Sequence, residues 1–224
     1  MVSDYISLLQ ETIPSDEPFI AVDCEWRKHL LDVIQLGTPS VCMVIQIHQV
    51  QNLNVDLRNL LTNPSITKVF KGMSQDIIRL KKMWDLTPTP VHDIGNYFKT
   101  IGRMYHQKVG KSKAELGPIS HPLSVFSAHG YTLLCTKGKK VTMSNWSSKK
   151  LTNKQIEYAA LDAFWIAFNY YLKVSNNIGR VPRRTSESCF SFPRILHFIS
   201  IPITHSSPSK THFFFRVLIL LLPG

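Results

Sequence analysis

Three groups of residues in this chain of 224 amino acids could carry out chemistry, and the first is a pair of acids. Asp23 and Glu25 directly follow the apolar run from Phe19 to Val22, which predicts a buried strand. Side chains at positions i and i+2 of a strand point to the same face, so the two carboxylates should lie side by side. Like charges that close raise each other's pKa unless a cation lies between them. Asp-x-Glu alone occurs by chance about once in such a chain, so its place after the strand is what gives it meaning.

The second and third groups lie near predicted helices. Asp76 follows a glycine turn at Gly72 and lies near a helix start, where the helix dipole alone stabilises an acid by ~0.3–1 kcal/mol. Tyr158 and Asp162 are four residues apart on a predicted long helix, so the phenol and the carboxylate share one face. Taken singly, each position also has a purely structural explanation, and only the combination indicates a site.

The predicted strands and helices follow an α/β order. Apolar runs predict five strands, and the short connections between the first three favour an antiparallel meander. The pattern T-x-x-Q at 152–155 predicts the capped start of a long last helix. This order predicts a mixed five-stranded sheet flanked by helices. The predicted strands cover 19–22, 33–36, 42–50, 67–70 and 91–93, and the predicted helices cover 57–61, 75–84, about 93–101, 123–129 and 152–174.

In chain order, the motifs are D-x-E after the first strand, G-x-x-x-D after the fourth and Y-x-x-x-D on the last helix. Together they resemble the three motifs of DEDDy 3′–5′ exonucleases. The segment 145–172, with Asn145-Trp146-Ser147 ahead of Tyr158-Ala-Ala-Leu-Asp162, is most similar to the exonuclease domain of the Werner syndrome helicase and its stand-alone relatives. The resemblance covers residues from about 15 to 175 and implies a ribonuclease H-like fold.

The resemblance also implies roles for individual residues. Asp23, Glu25, Asp76 and Asp162 match the metal-binding acids, and Tyr158 matches the tyrosine that positions the attacking water. Two Mg²⁺ or Mn²⁺ ions ~3.5–4 Å apart could activate that water and stabilise the leaving oxyanion, and both ions prefer oxygen ligands. The implied reaction is hydrolysis of phosphodiester bonds at the 3′ end of DNA, or of RNA, with release of nucleoside monophosphates.

Two other functions remain open at this point. One is a catalytically weak or inactive nucleic-acid-binding or scaffold protein of the same fold, and the other is a ribonuclease D-type RNA-processing exonuclease. The link between Trp26 and Val33 is shorter than in the family, and residues 103–122 depart from its usual leucine pattern. Both departures bear on the choice of substrate and leave the acids in place.

Nucleic-acid contacts are predicted from charge and aromatic character. Lys71, Lys81 and Lys82 are candidates for phosphate contacts, which would make binding dependent on salt, although solvated surface lysines explain each of them as well. Trp26 follows the acids and could stack on a terminal base or belong to the core. Across the chain Lys and Arg number 26 against 15 Asp and Glu, for a net charge of +11. This balance fits nucleic acid first and acidic lipid second.

The chain is expected to have two unequal parts. Residues 1–175 form the predicted exonuclease domain, and 176–224 form a basic tail rich in Ser, Pro and Phe that is expected to be poorly ordered. The tail has two other interpretations. It could be a peripheral membrane or partner-binding segment, or it could be an unselected end of the coding region. Its apolar run from Phe213 to Leu222 is interrupted by Arg216 and is shorter than the ~20 residues that span a bilayer, so no stable membrane insertion is expected.

Motifs that the sequence lacks bear on its cysteine chemistry, its cellular compartment and its partners. The four cysteines include no C-x-x-C pair, which argues against a zinc ribbon and a disulfide scaffold. The first residues contain no signal peptide, so the nucleus or the cytoplasm is expected. With no helicase motif in the chain, unwinding of a duplex would need a separate helicase as partner.

Overall fold

The computed structural model describes part of the chain, and the fold is given for that part. The described residues are 2–48, 50–100, 103, 131–133, 139–178, 201–205 and 213–221. The helix predicted over 123–129 and the unusual segment 104–122 lie outside them. No described helix has both the length and the apolar character that crossing a bilayer requires.

A mixed sheet forms the centre of the fold. Strands β1 (Phe19–Arg27), β2 (Leu30–Gly37) and β3 (Val41–Gln46) are an antiparallel meander. Strands β4 (Thr67–Phe70) and β5 (Val91–Asp93) add in parallel on the other side of β1. The order β5-β4-β1-β2-β3 confirms the predicted mixed five-stranded sheet and places β1, which carries the first two acids, in the middle.

Three further strands extend the sheet beyond β3. Strand β8 (Phe213–Leu221) pairs in parallel with β3, followed by β7 (Ile201–His205) and β6 (Tyr131–Leu133). An apolar, β-branched and aromatic run suits a strand, and the open edge of β3 offers it backbone partners. Strands β7 and β8 come from the segment expected to be a poorly ordered tail. For 179–200 and 206–212, outside the described residues, that expectation stays a prediction.

Helices cover both faces of the sheet. Apolar side chains of α1 (Val2–Glu11), α2 (Val55–Thr62) and α3 (Ser74–Trp84) pack with residues such as Ile20, Val22 and Ile34 on one face. The last helix packs on the other face, against residues such as Val33 and Val44. This arrangement gives three layers, with the acids of β1 directed toward the last helix. The helices are α1 (Val2–Glu11), α2 (Val55–Thr62), α3 (Ser74–Trp84), the described part of α4 (95–100), α5 (Lys139–Thr142) and α6 (Asn153–Ile178).

Helix α6 begins at a capping box and lies very close to β2. The backbone N–H of Gln155 donates to Thr152 Oγ1 at 3.3 Å, and the N–H of Thr152 donates to Gln155 Oε1 at 2.9 Å, as T-x-x-Q predicts. A Cβ atom on Gly37 would lie 2.9 Å from the backbone oxygen of Ala163. Gly37 therefore permits the close approach that brings this part of α6 down onto the sheet.

Candidate active site

The C-terminal end of β1 carries the first two acids. Asp23 and Glu25 are half-buried on the same face of the strand, as predicted, and Cys24 between them is buried on the opposite face. A bulge follows Glu25, because Glu25 pairs with Val33 while Trp26 pairs with Leu31. The short link seen in the sequence is a tight hairpin, in which β1 ends at Arg27 and β2 begins at Leu30.

Helix α6 brings a third acid to this pair. Carboxylate oxygens of Asp23, Glu25 and Asp162 all lie within 4.8 Å of one another. All three side chains are half-buried, so their oxygens remain accessible from one side. Three carboxylates at this spacing repel one another unless a cation is bound, and oxygen-only ligands suit a hard divalent ion. We call these three residues the carboxylate cluster.

Asp76 lies beside the carboxylate cluster but is not one of the three clustered acids. It lies in the first turn of α3 and is 6% exposed. Burial raises its pKa from the usual 3.8 to about 7, and the negative charge of Asp23 adds to the increase. A hydrogen bond from the Trp26 side chain and the positive charge of Arg79 both act in the opposite direction. Asp76 is thus coupled to the cluster through Asp23, although its environment is much less exposed.

Tyr158 lies next to the cluster on the α6 side. Its phenol oxygen accepts a hydrogen bond from Thr142 Oγ1 at 3.1 Å, and its ring centroid is 6.0 Å from that of Trp146. Burial raises the pKa of the phenol above its usual 10, and the charges of Glu25 and Asp23 raise it further, while the Thr142 hydrogen bond lowers it. The phenol is therefore protonated at neutral pH and can donate a hydrogen bond.

The predicted nucleic-acid contacts fall in different places. Lys71 is half-buried, and its pKa is lowered by burial and raised by Asp23 and Asp93, so this cation is electrostatically coupled to the acids. Lys81 and Lys82 are exposed in the last turn of α3, at the opposite end of that helix from Asp76. Trp26 is 39% exposed, and one face of its indole is covered by the Arg79 guanidinium, 3.6 Å from the ring centroid.

Two residues in contact with the predicted site were missed in the sequence. Arg79 is three residues after Asp76 on α3, and this i+3 spacing is the signal that could have identified it. Thr142 reaches Tyr158 from the short helix α5. Its position depends on how the chain returns toward α6, and no local pattern indicates that.

The fold and the site define a class of protein: one with a ribonuclease H-like fold and a carboxylate cluster suited to divalent cations. Within that class, the chain belongs to the 3′–5′ exonuclease family, whose model matches residues 2–177. Members of this family use divalent metal ions, and the carboxylate cluster provides suitable ligands in this chain. The predicted DEDD-type exonuclease domain is thereby confirmed at the level of the family, whereas the particular closeness to the Werner-like branch stays a prediction.

Two named relatives are longer than this chain and align with it over part of their length. A ribonuclease D from Acidiphilium cryptum is 30% identical over 157 residues, which are 67% of this chain and 36% of that protein. The exonuclease 3′-5′ domain-containing protein 2 of Drosophila melanogaster is 26% identical over 166 residues, 71% of this chain and 26% of that protein. The chain thus spans about a third or less of the length of these curated relatives.

Solved structures with the same fold agree with this assignment. Escherichia coli RNase D, an exoribonuclease involved in structured RNA processing, aligns with a TM-score of 0.52 and 22% identity, over 80% of this chain and 42% of that one. The catalytic core of RRP6 from Trypanosoma brucei aligns with a TM-score of 0.56 and 19% identity, over 80% of this chain and 46% of that one. At these identities the likeness establishes the fold.

Proposed function

We propose that this chain is a metal-dependent 3′–5′ exonuclease domain that removes nucleoside monophosphates from the 3′ end of a nucleic acid. The observation that carries the proposal is the convergence of Asp23, Glu25 and Asp162 within 4.8 Å in a chain of this family. Asp23 would serve two cation positions, one completed by Glu25 and Asp162 and the other by Asp76. Bound Mg²⁺ or Mn²⁺ would supply a more acidic water and charge stabilisation for the leaving oxygen.

The residues of the chain would then hold and orient the reactants. The carboxylates accept the cations and leave an open side toward solvent, where a phosphodiester can enter. Tyr158, protonated at neutral pH, would donate a hydrogen bond to the attacking water, with its ring held by Trp146 and its oxygen by Thr142. Lys71 would offset part of the negative charge at Asp23 and contact a phosphate, while Lys81 and Lys82 would contact phosphates farther along the strand.

The substrate class, RNA or DNA, is inferred from the relatives and from the sequence motifs. The name ribonuclease D of a relative that is 30% identical favours RNA. The segment Asn145-Trp146-Ser147 with Tyr158 to Asp162 supports DNA, through its resemblance to the Werner-like branch. We propose RNA as the first substrate and DNA as the second candidate. A separate helicase as partner and a nuclear location rest on that resemblance alone.

The test compares matched oligonucleotides. Single-stranded RNA and DNA of one sequence, and a DNA duplex with a recessed 3′ end, each labelled at the 5′ end, are incubated with Mg²⁺, with Mn²⁺ and with a chelator. A ladder that shortens from the 3′ end, and disappears in the chelator and in Asp162→Ala, is the expected result. Faster loss of RNA supports the ribonuclease D-type assignment, and faster loss of DNA supports the Werner-like one.

Asp16→Ala provides the matched control, because Asp16 is an exposed acid in the loop before β1. Its ladder should equal that of the unaltered protein. A folded protein that binds the oligonucleotides and yields no ladder under any metal condition would contradict the proposal. That outcome would leave the inactive binding or scaffold protein as the better description.

A further inference from the structure

The turn between β4 and α3 joins two residues of the proposed reaction. Lys71 comes directly before Gly72, and Asp76 comes four residues after it. Gly72 has a φ of +78°, which lies in the left-handed region that favours glycine. The turn is short, since residues 71–73 alone separate the end of β4 from the start of α3. The conformation at Gly72 therefore sets how the lysine and the acid are placed relative to each other.

Asp93 holds this turn from the end of β5. Its Oδ1 accepts a hydrogen bond from the backbone N–H of Gly72 at 3.1 Å and another from that of Gly95 at 2.7 Å. The backbone N–H of Ile94 also donates to the backbone oxygen of Phe70 at 2.8 Å. Hydrogen bonds to a carboxylate are about twice as strong as those between neutral groups. One carboxylate oxygen thus joins the turn before α3 to the start of α4.

Capping of α4 explains only one of these two hydrogen bonds to Asp93. A side chain at an N-cap accepts from the backbone N–H two or three positions later, which accounts for the bond from Gly95. The bond from Gly72 comes from 21 residues earlier in the chain and has no part in capping α4. At the start of α3, the N-cap residue Met73 makes no side-chain hydrogen bond to the helix. The turn that leads into α3 is instead held by an acceptor from β5.

The helix that Asp93 caps also supports the side chain of Lys71. The Lys71 ammonium lies 5.8 Å from the ring centroid of Phe98, which is within the range of a cation–π contact. Phe98 is fully buried on α4, so its ring has a fixed place. Burial lowers the pKa of Lys71, and the charges of Asp23 and Asp93 raise it, so the ammonium lies within electrostatic reach of both acids. Asp93 thus contacts both the backbone next to Lys71 and the helix on which the lysine lies.

We propose that Asp93 is a positioning residue whose carboxylate fixes the turn between β4 and α3. This turn places Lys71 for a substrate phosphate and Asp76 for a metal ion. The inference rests on the proposed function and adds one residue to it. Loss of the carboxylate should weaken both the phosphate contact of Lys71 and the metal position that depends on Asp76. The metal position formed by Glu25 and Asp162 should stay in place.

The first test compares Asp93→Ala with Asp93→Asn in the full chain. Asparagine keeps an oxygen that can accept both hydrogen bonds, so it should restore what alanine removes. Mn²⁺ is titrated calorimetrically, and Asp76→Ala identifies the binding step that depends on Asp76. Asp93→Ala should weaken this step by about 10-fold or more, as is typical when a group that orients a metal ligand is lost. Asp93→Asn should bind Mn²⁺ nearly as the unaltered protein does.

The second test measures the phosphate contact of Lys71. Binding of single-stranded RNA is followed in chelator, so that the RNA stays intact, at several salt concentrations. Each lost phosphate contact lowers the slope of log affinity against log salt concentration by about 0.7. Asp93→Ala and Lys71→Ala should each lower the slope by this amount, and the double variant should show no further loss. Asp93→Asn, which removes the same charge as Asp93→Ala, should keep the slope.

Asn54→Ala is the matched control. Asn54 Oδ1 also accepts from two backbone N–H groups at a helix start, those of Asp56 at 2.9 Å and Leu57 at 3.2 Å. This helix, α2, packs on the face of the sheet opposite to α6. Asn54→Ala should therefore lower the melting temperature and leave the binding of Mn²⁺ and RNA unchanged.

A second variant covers the case in which Asp93→Ala is less stable than Asn54→Ala. Asp93→Ser then decides the outcome, because serine still caps a helix. Its hydroxyl is one bond shorter than the carboxyl oxygen and should lose the longer hydrogen bond to Gly72. Asp93→Ser should therefore show the binding losses of Asp93→Ala with a smaller loss of stability.

The possible failures can be told apart. If Asp93→Ala and Asp93→Ser only lower the melting temperature, as Asn54→Ala does, the positioning role is overturned and the proposed function stands. Equal binding losses in Asp93→Asn and Asp93→Ala would also overturn the role, because charge and not hydrogen bonding would then be responsible. Mn²⁺ binding that is unaffected by Asp162→Ala and Asp76→Ala alike would instead remove the metal site, and with it the proposed function.

Discussion

The two flanks of the carboxylate cluster hold their acids in different ways. On the α6 flank Asp162 meets Asp23 and Glu25, and all three are half-buried. On the α3 flank Asp76 is 6% exposed, and this burial raises its pKa to about 7. The first flank thus brings several acids together, whereas the second encloses one acid whose ionised form is disfavoured.

Solvent access explains this difference. Repulsion between half-exposed carboxylates is reduced by water, so a strand and a helix can bring them together without a permanent cation. A buried carboxylate is not screened in this way, and its ionised form is disfavoured unless nearby groups stabilise it. The comparison indicates that the α6 flank offers accessible carboxylate oxygens to a metal ion, while the α3 flank keeps its acid away from solvent. Asp23 is the residue common to both.

The largest effect should come from Asp23→Ala, because this change removes a ligand from both flanks. Loss of metal stabilisation worth several kcal/mol lowers the rate by about 10³-fold or more. Mn²⁺ calorimetry should show that both binding steps are weakened. Asp162→Ala should weaken only the Mn²⁺ binding step on the α6 flank, and Asp76→Ala should weaken only the step on the α3 flank. Equal losses in all three variants would mean that the flanks do not act separately.

The parts of the site that the sequence predicted are those fixed by local periodicity. The i, i+2 spacing of Asp23 and Glu25 and the i, i+4 spacing of Tyr158 and Asp162 each define a shared face once the element type is known. The same patterns predicted the five-stranded sheet, and the capping box predicted the start of α6.

The remaining features depend on contacts between segments far apart in the chain. Pairing of β8 with β3 joins residues about 170 positions apart, and no local pattern specifies such a partner. The hydrogen bond from Arg79 to the backbone oxygen of Lys28 links α3 to the β1–β2 hairpin in the same way. No local pattern after the acidic strand indicates that Arg79 of α3 covers one face of the Trp26 indole.

The second prediction concerns Tyr158, which lies on the α6 flank and is not one of the proposed metal ligands. Tyr158→Phe keeps the ring against Trp146 and removes the hydroxyl, so we expect a rate about 10²-fold lower because a positioned proton donor contributes about this much. Mn²⁺ affinity should be unchanged on both flanks. Thr142→Val, which removes only the donor to that hydroxyl, should have a smaller effect in the same assay. A loss of metal affinity in Tyr158→Phe would contradict the assigned role.

The third prediction concerns a substitution on β2 that should displace α6 from the sheet. Gly37→Ala places a methyl group only 2.9 Å from the backbone oxygen of Ala163, which is closer than a real Cβ atom comes to its neighbours. We expect overpacking to lower the free energy of unfolding by about 1–3 kcal/mol and to shift Asp162 away from Asp23. Denaturant unfolding and the α6 step of Mn²⁺ binding should therefore change together. Gly95→Ala serves as the comparison, since its new atom would meet the side chain of Asp93 on the α4 side of the sheet.

The fourth prediction concerns the proton held by the α3 flank. The pKa of Asp76 is about 7 in the folded protein against the usual 3.8, so between these values the folded state keeps a proton that the unfolded state releases. This contribution to stability is fully present below pH 3.8 and is lost as the pH rises through about 7. In chelator, the unfolding free energy of the unaltered protein should therefore fall relative to that of Asp76→Asn across this window.

Asp162→Asn is the matched control on the other flank, and it should retain the pH dependence of the unaltered protein. Added Mn²⁺ should oppose the fall, because a bound cation stabilises the ionised carboxylate that burial disfavours. If Asp76→Asn and the unaltered protein show the same slope in chelator, the buried acid does not hold its proton. The contrast between a solvent-accessible α6 flank and a buried α3 flank would then lose its electrostatic basis.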